Sequence, residues 1–168
     1  MIMQLFRSVF FYFILYSFLG WIIEGVFNLC TQGSFWKPNF LILPLKPMYG
    51  IAATLLIYIK AYSPTWIFLI SALIVPTTVE YWTADLMLHF YNHRYWDYSN
   101  CSYQHKGYIC LRFSIYWFFL SLILTYGLQP FISTFYTSIS WFWYYFFPIA
   151  LIIFLGDFIL TLYRKQTA

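Results

Sequence analysis

The chain has 168 residues, of which 62% are hydrophobic and 8% charged, and its formal net charge is +4. Soluble domains are about 45–50% apolar and about 25% charged, so this composition excludes an ordinary soluble domain and indicates an integral membrane protein. The apolar residues form runs of about 20, the length of a membrane-crossing helix, and lack the alternating pattern of outer-membrane strands. We therefore predict an all-α, polytopic integral membrane helix bundle.

The first apolar run, Leu5 to Leu29, predicts a retained transmembrane helix. Its start resembles a signal peptide, but the run continues too far for one and contains Glu24. The second element, Leu41 to Ile59, is expected to be short or broken because Pro44 and Pro47 interrupt it. Two interpretations stay open for its irregular part: the lining of a cavity, or a surface turn before a short tilted helix.

Three further apolar runs predict membrane-spanning helices at Trp66 to Phe90, Gly107 to Leu128 and Trp141 to Tyr163. The last two are separated by an uncharged segment, Gln129 to Ser140, that is expected to be a loop. The sequence thus predicts about five transmembrane helices in a single domain over residues 1–168.

Basic residues predict the orientation, because Lys and Arg that flank transmembrane helices are retained on the cytoplasmic side. With about five crossings, Arg7 and Lys60 share one side with the uncharged loop. The other side holds Lys37, Lys46, Arg94, Lys106, Arg164 and Lys165. The prediction is a multi-pass protein of the cell membrane with a cytoplasmic C-terminus. The polar segment Arg94 to Ser114 is expected on the same side.

Charged residues inside predicted spans are the first candidates for function, since each costs at least about 2.5–3.5 kcal/mol at the bilayer centre if it faces lipid. They are Glu24, Glu80, Asp85, Arg112 and Asp157. Arg112 is the only strongly basic member, so we expect it to pair with Glu80 first and Glu24 second. The alternative for some members is a position near a helix end, where the side chain reaches water.

No metal, cofactor or catalytic residue is predicted. Asp85, His89 and His93 are spaced four apart and would align on a helix, but no Cys or further His completes a metal site. The chain also lacks a phosphate-binding loop, a G-x-S-x-G elbow and an H-E-x-x-H motif, so any ATP hydrolysis would come from a partner. Without a long basic soluble segment, nucleic acid is not an expected partner.

Several short motifs occur in a fixed order along the chain. They are FLGWIIEG at Phe18 to Gly25, PMYG at Pro47 to Gly50, VEYW at Val79 to Trp82, YWDYS at Tyr95 to Ser99, and KGYICLRFSIYW at Lys106 to Trp117. Together they resemble the bacterial family of ABC-transporter permeases called type IV or CmpB-like, over nearly the whole chain. The resemblance implies a membrane transport component. A separate ATPase subunit, a homo-oligomer and the lipid bilayer are the partners expected for it.

The polar motifs also predict a ligand site. Glu24, Tyr49, Glu80 and Asp97 lie in separate motifs and lack local partners, so we expect them to converge on one pocket that opens to the cytoplasmic side. The full set of candidate ligand-binding residues is Glu24, Tyr49, Glu80, Trp96, Asp97, Tyr98, Ser99 and Arg112.

Two alternatives to this pocket stay open. One is a packed polar knot that holds helices together without a ligand. The other is an intramembrane enzyme that acts on a lipid or isoprenoid, with Glu80 or Asp97 as general acid or base. The segment that contains YWDYS is in either case expected to form a structured plug at the mouth of the bundle.

Overall fold

The structure is a computed structural model that describes residues 2–166. It is 79% helical, which confirms the prediction of an all-α protein. The helices are α1 (Ile2–Gln32), α2 (Pro47–Tyr62), α3 (Thr65–Tyr91), α4 (Leu111–Leu122) and α5 (Gln129–Gln166). A π-helical segment, Ile123–Leu128, joins α4 to α5, and two short strands, β1 (Gln104–His105) and β2 (Ile109–Cys110), precede α4.

Helices α1 and α3 lie where the apolar runs predicted the first and third spans, so these two helices are confirmed. Helix α3 ends at Tyr91, and the next residue, Asn92, adopts the left-handed conformation (φ 47°) and donates its N–H to the Leu88 carbonyl. Helix α2 begins at Pro47 and has 16 residues, so the expectation of a short second helix is also confirmed. A proline is tolerated there because the first N–H of a helix has no partner inside it.

The segment Gln129 to Ser140, predicted as a loop, is helical, and that prediction was wrong. Its hydroxyl groups bond to carbonyls one turn back: Thr134 donates to Pro130 at 3.0 Å and Ser140 donates to Thr137 at 2.9 Å. Such bonds let a polar segment remain helical in apolar surroundings. The predicted fourth and fifth spans are therefore parts of one helical run.

Within residues 2–166, three helical segments are long and apolar enough to cross a membrane. They are Ile2–Gln32, Thr65–Tyr91 and Leu111–Lys165, the last with 55 residues. At about 1.5 Å per residue, 55 residues extend over more than twice the roughly 30 Å of a hydrocarbon core. These helices fit a membrane protein, whereas the count of about five crossings is not confirmed.

Close contacts divide the chain into two compact units. Unit 1 comprises Met1–Gly50 and Tyr136–Ala168, and unit 2 comprises Ile51–Phe135. The single domain over residues 1–168 stays a prediction, because a unit defined by contacts is not necessarily one that folds alone.

Aromatic side chains of α1 and α5 form the core of unit 1. Phe10 packs edge-on against Phe147 at 5.6 Å between ring centroids, and Phe11 packs against Trp143 at 5.2 Å. The indole N–H of Trp143 donates to the carbonyl of Arg7 at 3.0 Å. The aromatic residues of this unit therefore hold helix against helix, as edge-to-face pairs commonly do.

A smaller apolar cluster forms the core of unit 2. Leu56, Phe68 and Ala72 are almost fully buried, and Phe118 and Leu122 of α4 pack against them. Helix α3 lies against α4 in this unit and also contacts β2, which belongs to the chain that connects the two helices.

Candidate functional site

The chain that connects α3 to α4, residues 92–110, folds into a compact structure that we call the cap. Strands β1 and β2 pair antiparallel, with Gln104 opposite Cys110 and His105 opposite Ile109. The turn between them contains Gly107 at φ 71°. A Cβ at that position would lie 2.6 Å from the Asp97 carboxylate, so only glycine fits both the turn and the contact. The expectation of a structured segment here is confirmed.

Asp97 organises one turn of the cap. Its Oδ1 accepts the backbone N–H of Ser99 at 2.9 Å and also the Ser99 hydroxyl, and Arg94 lies 3.5 Å away. These hydrogen bonds, with a smaller contribution from Arg94, hold the pKa of Asp97 below its ordinary value. Since the Asp97 side chain is half exposed, its contacts are those of a turn residue.

Trp96 fixes the other side of the cap. Its indole N–H donates to the carbonyl of Tyr108 at 2.9 Å, and the guanidinium of Arg94 lies over the Tyr108 ring. Lys106 reaches α3 through a 3.2 Å hydrogen bond to the Tyr81 hydroxyl, which raises the pKa of Lys106. The cap is thus held by indole, phenol and cationic side chains at the end of α3.

Glu80 of α3 lies beneath the cap and is only 2% exposed. Its Oε1 accepts a hydrogen bond from the Tyr98 hydroxyl at 3.0 Å, and its Oε2 accepts one from the Trp117 indole N–H at 2.9 Å. The Tyr98 ring stacks on Phe113 at 4.5 Å, with 17° between the ring planes. One buried carboxylate therefore connects the cap, α3 and α4.

The expected pairing of Arg112 with Glu80 was wrong. Arg112 stands in the first turn of α4 with an exposed side chain, and its Nε donates to the hydroxyl of Tyr116 at 2.9 Å. A cation at a helix end can reach water and needs no buried partner, which is the alternative that the sequence left open. The Glu80 carboxylate instead accepts hydrogen bonds from neutral donors.

Glu24 of α1 has a different environment within unit 1. Its Oε1 lies 2.9 Å from the ammonium of Lys37 and 3.1 Å from that of Lys46. Tyr49 follows Lys46 closely and its ring lies against Gly20, where a Cβ would collide with it. Lys37 and Lys46 belong to the loop between α1 and α2. Asp157 of α5 binds this loop, since its two oxygens accept the backbone N–H groups of Ile42 and Leu43.

The predicted site residues are therefore found in two places. Glu24 and Tyr49 belong to unit 1, whereas Glu80, Arg112 and the motif Trp96 to Ser99 belong to unit 2. Within unit 2 the structure joins Glu80 to Tyr98 directly. The convergence of Glu24, Tyr49, Glu80 and Asp97 on one pocket stays a prediction.

Sequence reasoning missed three partners of these carboxylates, namely Trp117, Lys37 and Lys46. A signal existed for Trp117, because an indole N–H within a membrane-spanning helix needs an acceptor and Glu80 was predicted to need a partner. The candidate metal ligands are engaged in ring contacts, His89 with Phe90 and His93 with Tyr95. Among residues 2–166, no three His, Cys, Asp or Glu side chains are grouped so that they could hold a metal ion.

Comparison with known protein families places the chain in a family. The model of a family described as "Putative ABC-transporter type IV" covers residues 11–162 of the chain. No curated protein and no solved structure matches significantly. The matched residues include Glu80 with its partners Tyr98 and Trp117. They also include Glu24 with Lys37 and Lys46, which we call the Glu24 cluster.

Proposed function

The chain belongs to the ABC-transporter type IV family, and we propose that it is a membrane transport component in which the cap controls one end of a polar path for a small molecule or lipid. The observation that carries this proposal is the Glu80 carboxylate, which binds Tyr98 of the cap and Trp117 of α4 at once. Family membership supports a transport-related role, and the polar path is our own inference.

Glu80 is suited to link ligand binding to cap movement. In a low-dielectric site, a carboxylate forms strong hydrogen bonds with O–H and N–H donors. A proton or a polar ligand that competes for Oε1 would release Tyr98, and with it the cap. The β1–β2 pairing within the cap does not involve Glu80, so the cap would keep its own fold as it moves.

The topology of this transport component is part of the proposal. We propose several membrane crossings, with the C-terminus and the cap on the cytoplasmic side. The support is the excess of Lys and Arg on that side, including Arg164 and Lys165 in the last turn of α5. A reporter fused after Ala168 should be active in the cytoplasm, and an external reporter would overturn this orientation.

Partners also follow from membership of the family. The chain carries no nucleotide-binding motif, so we propose that a separate ATPase subunit supplies any energy from ATP. A homo-oligomer would widen the path that one chain of this size can enclose.

Metabolite profiling tests the transport function while the substrate is still unidentified. Cells that lack the protein are compared with cells that carry the wild type, Glu80→Gln or Asp85→Asn, at equal amounts of protein in the membrane. Asp85 is a matched control, because it is another acid of α3 and lies five residues from Glu80. Small molecules and lipids are measured separately in the cells and in the medium.

For a transport component we expect one compound to change its distribution between cells and medium while its total amount is constant. Glu80→Gln should behave like the deletion and Asp85→Asn like the wild type. If a precursor accumulates while its product disappears, the protein is an enzyme and the proposal is wrong. If Glu80→Gln behaves like the wild type, Glu80 has no role in transport.

A further inference from the structure

The Glu24 cluster of unit 1 has more positive than negative charge. Two ammonium groups, those of Lys37 and Lys46, share the single oxygen Oε1 of Glu24, so the three side chains carry one net positive charge. Asp157 is the other acid of this unit; backbone N–H groups of the loop bind both its oxygens, and among the described residues both lysines form their ion pairs with Glu24 and not with Asp157. An anion that binds directly to the two ammonium groups would therefore offset the positive charge that Glu24 leaves.

The cluster also has hydrogen-bond donors to offer. An ammonium group has three N–H donors, and the contact to Glu24 uses one on each lysine. The Lys46 side chain is only 11% exposed, so water does little to satisfy its other donors. Lys46 also directly precedes α2, a helix of 16 residues whose N-terminal end carries a partial positive charge.

The position of the cluster along α1 indicates which anion is available. Helix α1 has 31 residues, or about 46 Å, so it exceeds the hydrocarbon core of about 30 Å. Glu24 lies about 12 Å before the C-terminal end of α1, so a core of about 30 Å centred on this helix would end close to Glu24. Trp21 is one turn away and packs against Trp36, which is 76% exposed, as is typical of a tryptophan at the membrane interface. Phosphate groups of lipids lie at this level.

We propose that Lys37, Lys46 and the N-terminus of α2 form a binding site for a phosphate group, either of an anionic lipid or of a soluble phosphate compound. The phosphate oxygens accept the free ammonium donors while Glu24 holds the two lysines in place. This site is independent of Glu80 and of the function proposed above, because all its residues belong to unit 1.

Thermal unfolding of the full chain in a non-ionic detergent tests this site. Phosphatidylglycerol is compared with phosphatidylcholine, and inorganic phosphate is compared with chloride at equal ionic strength. The test variant is Lys37→Gln, which removes one ammonium but leaves the Lys46–Glu24 pair to keep the loop folded. The matched control is Lys106→Gln, which removes the same charge from the cap.

We expect phosphatidylglycerol to stabilise the wild type more than phosphatidylcholine does. Its apparent affinity should fall about tenfold in Lys37→Gln, the loss of one hydrogen bond to a charged group, and less than about twofold in Lys106→Gln. If inorganic phosphate also stabilises the wild type and depends on Lys37, the site takes soluble phosphate compounds. If only phosphatidylglycerol stabilises the wild type in a way that depends on Lys37, the phosphate group that binds is that of a membrane lipid. The proposal is overturned if neither ligand stabilises the protein, or if both variants weaken binding equally.

Discussion

The two glutamates of this chain, Glu24 and Glu80, both lie within membrane-capable helices, yet they have opposite kinds of partner. Glu24 is bound by two lysines from the loop that precedes α2. Glu80 accepts hydrogen bonds from a phenol and an indole. The first carboxylate thus belongs to an ion cluster with one net positive charge, and the second accepts hydrogen bonds from two aromatic side chains. The same residue type can therefore have a mainly electrostatic role in one unit and a linking role in the other.

The comparison predicts unequal effects of the same substitution. Glu24→Gln leaves the buried Lys46 without its counter-charge and should lower the free energy of unfolding by about 3–5 kcal/mol. Glu80→Gln should cost less than about 1 kcal/mol, because the amide can accept from Trp117 and donate to the Tyr98 oxygen. Chemical unfolding of both variants in detergent measures the difference. Equal losses would contradict the contrast between the two sites.

Removal of all polar atoms from Glu80 should have the next largest effect. Glu80→Leu leaves the Trp117 N–H and the Tyr98 hydroxyl without their acceptor beneath the cap, so we expect a loss of about 2–4 kcal/mol. The same unfolding assay measures it, with Glu80→Gln as the control of similar size. A Leu variant as stable as the Gln variant would show that these hydrogen bonds contribute little.

Tyr98→Phe isolates one of the two hydrogen bonds. It removes the hydroxyl that donates a hydrogen bond to Glu80 but retains the ring that stacks on Phe113. We therefore expect the free energy of unfolding to fall by about 1.5 kcal/mol. The matched control is Tyr116→Phe, which removes a hydroxyl bonded to the exposed Arg112 and should change stability by no more than about 0.5 kcal/mol. Similar losses in both variants would contradict a special role for Tyr98.

The smallest expected effect is a pH dependence of the cap. The pKa of Asp97 is lowered by its hydrogen bonds to Ser99. Its stabilising contribution is therefore fully present above the ordinary aspartate pKa of about 3.9 and is lost as the pH falls through the lowered value. Hydrogen exchange of residues 92–110 should quicken on acidification below about pH 4. Ser99→Ala should weaken this dependence, and an unchanged pH profile in that variant would refute the assignment.

Much of the helical structure follows from simple sequence features. The apolar runs located α1 and α3, and Pro47 marked the start of the short α2. The helix over Gln129 to Ser140 was missed because its Ser and Thr residues are typical of loops, whereas here their hydroxyls bond within the helix. Uncharged polar residues therefore do not by themselves indicate a break between two spans.

The candidate sites were only partly predictable, and the reason is physical. The cost of charge in a membrane indicated that Glu24 and Glu80 need partners, but it did not choose between ionic and neutral ones. Arg112 was favoured as a cation, yet its place in the first turn of α4 leaves it exposed. Lys37 and Lys46 were used only to infer orientation, since nothing in the sequence shows that their loop returns to Glu24.

The central claim is that the Tyr98–Glu80 hydrogen bond holds the cap closed. Cys110, a native thiol at the base of the cap, is 2% exposed and can report on opening. Its rate of reaction with a maleimide is measured in a background in which Cys30 and Cys101 are replaced by serine. We predict that Tyr98→Phe raises this rate about tenfold, that Tyr116→Phe does not, and that adding Glu80→Gln to Tyr98→Phe gives little further increase. An unchanged rate in Tyr98→Phe would contradict the account.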